Sequence, residues 1–164
     1  MTIRVNHKEV VASLDSFEDS LIFNITRNHA KSMNKIVADT VAYIDKHDLI
    51  SQGDLRSSIT SEVDRRIDEI VGEVGTNQKH AIFVHEGTAP HWPPVQAMEE
   101  WVTQQVRRGT MDTDDIRSTA FLVGRAISKR GTKPNPFFTV SLRLNRNVII
   151  NNVARAIQKA KPKN

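Results

Sequence analysis

The sequence of 164 residues contains no cysteine, and this absence excludes several classes of protein. Without thiols the chain has neither a disulfide framework nor a thiolate metal site, and it has no cysteine nucleophile. No apolar run is long enough to span a membrane, and the first residues lack the apolar stretch of a signal peptide. We therefore expect a protein that is made in the cytoplasm and folds there without a membrane.

Aromatic residues are also scarce, at 5% of the chain, whereas apolar residues of all kinds make up 38%. A chain of this length can still bury about 70% of the surface that its unfolded form exposes. We therefore expect one domain over residues 1–164, with an aliphatic core and short flexible ends.

Acidic residues are missing from the last third of the chain. Asp115 is the last of them, and residues 116–164 contain eleven Lys or Arg. Residues 1–115 hold 12 Lys or Arg against 19 Asp or Glu, a net charge of about −7. This asymmetry favours a basic surface facing nucleic acid, or head-to-tail packing of one subunit's acidic side on another's basic side. A solvated basic helix and tail is the third interpretation.

The apolar pattern predicts an α+β fold that begins with a long helix. Apolar residues over 16–46 lie mostly three or four apart, which indicates an amphipathic helix. Unbroken, this helix would be roughly 45 Å long. It therefore either breaks in its polar stretch, 24–31, or packs against a neighbouring subunit, which favours an oligomer.

Between Ile59 and His85 the apolar period shortens and predicts a small antiparallel sheet of about three to four strands. Ala81–Glu86 is predicted as its last strand. The apolar residues assigned to these strands are Ile59, Val63, Ile67, Ile70, Val74, Ile82 and Val84.

Two short helices and a C-terminal helix are predicted after the proline-rich loop. The first short helix is predicted to start near Pro94 and to end at Arg107-Arg108-Gly109. The second starts at Thr113, its expected N-cap, and ends at Lys129-Arg130-Gly131. Each has acidic residues early, basic residues late and a glycine just past its end. Pro134 favours extended backbone before it. The last helix then places Leu142, Ile149, Val153, Ala156, Ile157 and Ala160 on its apolar side.

No motif for catalysis or for a cofactor is present. His80, His85, Glu86 and His91 come nearest to a metal or acid–base cluster. On a strand, however, His80 and Glu86 would lie roughly 20 Å apart. Glycines and lysine near residues 124–133 lack the spacing of a phosphate loop. We therefore predict that the protein is not an enzyme and has no catalytic residue, metal site or cofactor.

The informative aromatic residues lie in stiff loops. Trp92 is followed by two prolines, and Phe137 and Phe138 follow a proline pair. An aromatic side chain that is held in place before docking loses little entropy on binding. Trp92 is therefore a candidate interface anchor, with packing onto its own core as the alternative, and one of the two phenylalanines is expected in the core.

Three segments occur in a characteristic order between two helices. Gly53–Ile59 combines glycine, leucine, arginine, serine and isoleucine before the first strand, Ala81–Thr88 ends in Glu-Gly-Thr, and Lys133–Phe138 is a proline-x-proline-phenylalanine element before the last helix. Together they resemble the tail-completion family, the head–tail joining (neck) proteins of long-tailed bacteriophages. The resemblance covers about Phe17 to Ala160. It departs at Val95–Arg130, where two helices stand in place of a shorter insertion.

The resemblance implies a structural virion protein that forms a homo-oligomeric ring, hexameric in the family, at the head–tail junction. Such a ring completes the tail and meets the phage connector or adaptor proteins on one side and tail tube or terminator proteins on the other. Genomic DNA passes through its lumen without sequence specificity. The protein would be in the host cytoplasm during assembly and in the virion afterwards.

Two sets of residues are candidates for this role. The subunit-interface candidates are Glu86, Gly87, Thr88, Trp92, Pro134, Pro136, Phe137 and Phe138. The DNA-channel candidates are Lys129, Arg130, Lys133, Arg143 and Arg146. We hypothesise that the acidic first two-thirds and the basic last third meet between subunits, and that some of the basic candidates face the lumen instead.

The alternative function is that of a small basic DNA-binding or DNA-processing protein, which the net charge of +4 and the acid-free last third suggest. Against it, the aromatics do not interleave with the basic residues as a base-stacking platform requires. No recognition-helix motif stands out either.

Overall fold

The structure is a computed structural model that describes residues 7–49, 54–66 and 68–160. Its elements are α1 (His7–Lys46), α2 (Asp54–Ser57), β1 (Thr60–Arg65), β2 (Ile70–Gly75), α3 (Ala81–Glu86), α4 (Val95–Arg107), α5 (Ile116–Arg130) and α6 (Phe137–Ala160). The mixture of helices and strands, with a long helix at each end, agrees with the predicted α+β class.

The described residues group into two compact units. Unit 1 contains those within 1–38, 60–74 and 142–164, and unit 2 contains those within 39–59 and 75–141. Each unit is built from segments that lie far apart in the sequence. The single domain expected for the whole chain stays a prediction.

Helix α1 runs without a break for 40 residues. It begins nine positions before the predicted start at Ser16 and continues through the polar stretch where a break was one alternative. The side-chain amides of Asn24 and Asn28 each donate a hydrogen bond to the backbone carbonyl four residues earlier, at 2.8 Å, so both amides have a partner within the helix. None of residues 12–31 is buried, and Ser32 is the first buried side chain after them.

The sheet has two strands, so the prediction of three to four is wrong. At the turn between β1 and β2, the Arg66 N–H donates to the Glu69 carbonyl at 2.9 Å. Ala81–Glu86, the predicted last strand, is helix α3, so Ile82 and Val84 are helical. A run of six mostly apolar residues fits a buried strand and a helical turn equally well. The predicted strand residue Ile67 lies outside the described residues.

The hairpin of unit 1 packs on the middle of α1. The Ser61 hydroxyl donates to the Asn34 side chain at 3.0 Å. Gly72 lies so close to α1 that a Cβ there would sit 2.5 Å from His29 Nε2 and 2.7 Å from Met33 Sδ. Glycine at Gly72 therefore allows the strand to approach the helix, and a larger residue would require the side chains of His29 and Met33 to shift.

Apart from Phe137, helix α6 buries small and polar side chains rather than its large apolar ones. Its buried residues are Phe137, Ser141, Asn145, Ala156 and Ala160. In unit 1, Asn152 donates to the Ser32 hydroxyl at 2.9 Å, so the second half of α6 lies along α1. Leu142 and Ile157, which were predicted on the apolar side, are 55% and 43% exposed. Phe137, Ser141 and Asn145 lie four positions apart, as do Ala156 and Ala160, whereas Leu142 lies one position away from the buried Ser141.

Helices α4 and α5 in unit 2 confirm the two predicted short helices. The N-cap of α5 is Asp115 and not the predicted Thr113: the Ser118 N–H donates to Asp115 Oδ1 at 3.0 Å. The Thr113 hydroxyl instead accepts from the Asp115 N–H at 3.2 Å. Gly131 follows the helix with a φ of 71°, as the predicted end requires.

The close approach at Gly72 generates a stability prediction with a matched control in the same strand. Valine suits a strand, so Gly72→Val tests only the contact with His29 and Met33. We expect it to lower the free energy of unfolding by about 1–3 kcal/mol through overpacking. Gly75→Val, whose Cβ would meet nothing within 4 Å, should change it by less than about 0.5 kcal/mol. Urea unfolding followed by circular dichroism measures both, and equal effects would contradict the packing described.

The Asp115 cap generates a pH prediction. Hydrogen bonds from the Ser118 side chain and backbone N–H lower the pKa of Asp115 below the ordinary value of 3.8. A lowered folded-state pKa stabilises the protein above the ordinary value, and that contribution is lost as the pH falls through the folded-state pKa. Asp115→Asn keeps a capping oxygen and removes the titration, so its melting temperature should fall less steeply with acid below pH 3.8. Identical acid slopes in the variant and the parent would refute this.

Candidate functional site

Two loops that carry most of the interface candidates meet in unit 2 through a backbone bridge. Thr88 and Thr132 form an antiparallel bridge in which each N–H donates to the other's carbonyl at 3.2 Å. Their hydroxyl oxygens lie 3.1 Å apart. The bridge brings Glu86 and Gly87 beside Pro134, although the two loops are more than forty residues apart in the sequence. We call residues 84–88 and 131–137 the loop clasp.

Two glycines make the loop clasp possible. Gly87 and Gly131 have φ values of 73° and 71°, a backbone conformation that residues with a side chain rarely adopt. A Cβ on Gly87 would lie 2.5 Å from the Thr132 carbonyl oxygen, and one on Gly131 would overlap the Thr88 carbonyl oxygen. Glycine is therefore needed at each position for two reasons: it adopts the positive φ, and it leaves room for the facing loop.

Phe137 anchors the loop clasp from inside. It is fully buried, and the ring of His85 meets it edge-on with a centroid separation of 4.9 Å. The Asn135 N–H donates to the Val84 carbonyl at 3.1 Å, which closes the clasp a second time. Phe137 thus fulfils the expectation that one of the two phenylalanines is in the core, and Phe138 is half-buried.

The remaining interface candidates of the clasp differ in exposure. Glu86 and Pro134 are exposed, whereas Thr88 and Pro136 are half-buried. His85 Nε2 lies 3.3 Å from the Thr139 hydroxyl. Its Nδ1 is buried and has no hydrogen-bond partner among the described residues. The clasp therefore presents Glu86 and Pro134 outward and holds Phe137 inward.

Trp92 is half-exposed and forms an aromatic pair with Phe121 of α5. The ring centroids lie 5.6 Å apart, and the residues are 49% and 52% exposed. Pro93 is buried against Gly124, which holds the loop on the helix. Sequence reasoning missed Phe121. The sequence did contain a signal for its exposure. Phe121 lies off the apolar stripe of Ala120 and Val123 on α5, and an apolar residue off that stripe is expected to be exposed.

A cavity of about 530 Å³ adjoins the loop clasp in unit 2. Apolar side chains of α3, α4 and α5 contribute to its lining, among them Phe83, Met98 and Ile127. Three histidines also line it: His47, His80 and His91. Because residues 81–86 are helical, the separation of His80 and Glu86 predicted for a strand does not apply. Within the described ranges, no three His, Asp or Glu side chains are grouped to hold a metal ion.

The basic candidates are all exposed and lie in both units. Lys129, Arg130 and Lys133 belong to unit 2, and Arg143 and Arg146 belong to unit 1. None of the five forms a salt bridge with another described residue. Their charges are therefore available to an anionic partner.

The first of the three segments that carry the resemblance lies only partly within the described residues. Gly53 is outside them, Asp54–Ser57 forms α2, and Ile59 is buried just before β1. Arg56 of this segment donates to Asp45 of α1 at 2.8 Å.

Comparison of the chain with family models, with curated proteins and with solved structures gives no match. No helix in the described part of the chain is long and apolar enough to cross a membrane.

The loop clasp generates a prediction that separates backbone conformation from close approach. Gly131→Ala should lower the free energy of unfolding by more than about 3 kcal/mol, because the Gly-only backbone region costs about 1–3 kcal/mol and the methyl group also overlaps Thr88. Gly109→Ala is the control, since Gly109 has a φ of 68° but nothing within 4 Å of a Cβ. It should cost only about 1–2 kcal/mol. Thermal unfolding of both variants checks the difference, which is absent if the loops do not touch.

Proposed function

We propose that this protein is a structural subunit of a long-tailed bacteriophage, which completes the tail and joins it to the head connector as a ring around the DNA channel. The observation that carries the proposal is that many large apolar side chains of the described residues, in both units, are 43–67% exposed. A protein that works alone rarely exposes extended apolar patches, whereas a subunit of an assembly needs them for its neighbours.

In unit 2 the uncovered apolar residues lie on helices and beside the loop clasp. Ile82 and Phe83 of α3 are 56% and 59% exposed, and Leu122 of α5 is 60% exposed. Trp92 and Phe121 add an exposed aromatic pair. Tryptophan is among the residues that most often dominate the binding energy of an interface. Trp92 is therefore the first candidate anchor for a neighbouring subunit or tail protein.

The loop clasp supports the proposal through its rigidity. A ring closes only if every subunit meets the next at the same angle. Loops fixed by a two-way backbone bridge at Thr88 and Thr132 and by the buried Phe137 can hold that angle. Glu86 and Pro134 on the outer side of the clasp are the residues that we assign to such a contact.

The basic side chains support contact with DNA that passes through the ring. Lys129, Arg130 and Lys133 are exposed and unpaired within the described chain. Lysine and arginine bind the phosphate backbone by releasing its counterions, which needs no particular base sequence and weakens steeply with salt. We assign this role to these three residues. The alternative function, a small basic DNA-binding or DNA-processing protein, would use the same side chains.

Other parts of the proposal follow from the resemblance of the three segments. The ring would be hexameric, with connector or adaptor proteins on one side and tail tube or terminator proteins on the other. The role requires no catalytic residue, metal or cofactor. Assembly would take place in the host cytoplasm, and the mature location would be the head–tail junction of the virion.

The mass of the purified protein in solution tests the proposal. We expect light scattering across concentration to show a discrete ring, or a monomer that converts to a ring when tail tube or connector protein is added. The uncovered apolar side chains supply the driving force, so the ring should persist at high salt. Duplex DNA of arbitrary sequence is titrated in parallel.

The two functions differ in this experiment. A ring that forms without DNA supports the virion role. A monomer at every concentration, with or without tail proteins, that binds duplex DNA with a steep salt dependence refutes it and supports the DNA-binding alternative.

A further inference from the structure

Residues 14–25 of α1 carry acidic and large apolar side chains that the described part of the chain leaves exposed. Leu14 and Phe23 are 59% and 64% exposed. Asp15, Glu18 and Asp19 lie between them, are exposed, and form no salt bridge with a described residue. We call residues 14–25 the α1 arm. It contains three acidic residues and no lysine or arginine.

Helix α6 carries the opposite combination on one exposed face. Arg143, Arg146, Ile150 and Ile157 recur at spacings of three, four and seven residues, which places them on one side of a helix. Leu142 borders them. Ile150 is 56% exposed, and both arginines are exposed without an ion-pair partner among the described residues. We call these five residues the α6 face. No acidic residue occurs anywhere in α6.

The two surfaces match in length as well as in charge. At 1.5 Å per residue the α1 arm is about 17 Å long and the α6 face about 23 Å long. On the arm, Leu14 and Phe23 lie nine residues apart, or about 180° around the helix, so they border the acidic side chains on either side. Each surface therefore has charges of one sign to pair and apolar side chains beside them to bury. Apolar burial would hold such a contact together, while the opposite charges select the partner and its orientation.

The α1 arm cannot reach the α6 face of its own chain. Asn152 of α6 points to α1, where it donates to Ser32. Ile150 lies two residues earlier, or about 200° around the helix, so the α6 face points away from α1. The arm belongs to the same unbroken helix as Ser32. A second copy of the chain is therefore the occupant that satisfies both surfaces.

We propose that the α1 arm of one subunit docks on the α6 face of the next. The inference rests on the proposed function and names the contact that links its subunits. Because arm and face are different surfaces, the contact is heterologous and generates a ring when its rotation closes. Arg143 and Arg146 then face a neighbouring subunit rather than DNA, and Lys129, Arg130 and Lys133 remain as the DNA-channel candidates.

Charge exchange between the two surfaces tests the docking. An arm variant carries Glu18→Lys and Asp19→Lys, and a face variant carries Arg143→Glu and Arg146→Glu. Each variant alone brings like charges together, so its assembly concentration should rise by at least about tenfold over that of the parent. An equimolar mixture pairs each altered surface with a complementary one. It should assemble within about threefold of the parent concentration, as measured by light scattering at low salt.

The absence of cysteine allows an independent test by disulfide cross-linking. Glu18→Cys and Arg146→Cys chains are mixed and oxidised, and a cross-linked dimer of the two different chains is expected. The control pair is Ser20→Cys with Asn151→Cys, which are exposed positions on the same helices but about 200° and 140° away from the first pair. The control mixture should give no dimer. Circular dichroism verifies that every variant folds.

The outcomes separate the inference from the proposed function. A parent ring with charge variants that assemble normally and no cross-link overturns the docking and leaves the ring intact. A cross-link between Glu18→Cys chains alone also overturns it, because the contact would be arm to arm. A cross-link of the mixed pair without any ring supports the docking and refutes the ring. A parent that stays monomeric even when tail tube or connector protein is added, with no cross-link at any concentration, overturns both.

Discussion

The backbone bridge between Thr88 and Thr132 is the interaction on which the candidate site depends. It joins two loops that are remote in the sequence, and it tolerates no side chain at Gly87 or Gly131, where the facing carbonyl oxygens leave no room. The bridge holds Glu86 and Pro134 in fixed positions. Phe137, buried just behind it, prevents the loops from separating without exposing a large aromatic surface.

The distribution of apolar residues explains why we assign the chain to an assembly. Helix α6 buries serine, asparagine and alanine while Leu142, Leu144 and Ile150 remain exposed. Such an inversion costs stability in a protein that acts alone, because apolar surface stays in water. In a subunit the same residues are buried when neighbours bind. The charges of the acidic α1 arm and of the basic α6 face likewise have no ion-pair partner among the described residues and would be paired when a neighbouring subunit binds.

The charge asymmetry of the sequence acquires a more specific meaning in the structure. Both ends of the chain contribute to unit 1, so the acidic arm and the basic helix belong to one compact unit. There they remain on separate surfaces instead of neutralising each other. Lys129, Arg130 and Lys133 lie in unit 2 beside the loop clasp. The same excess of positive charge can thus serve a protein contact in one unit and DNA in the other.

The sequence by itself determined the features that obey local rules. The long periodic pattern predicted α1, and basic residues followed by glycine predicted the C-terminal ends of α4 and α5, because helix dipoles and caps act within one turn. Tertiary structure decided the rest. Residues 81–86 are helical although six residues cannot distinguish the two periods, and Leu142 is exposed because packing selected the stripe through Ser141. The meeting of Thr88 with Thr132 depends on the path of the whole intervening chain, which no local pattern encodes.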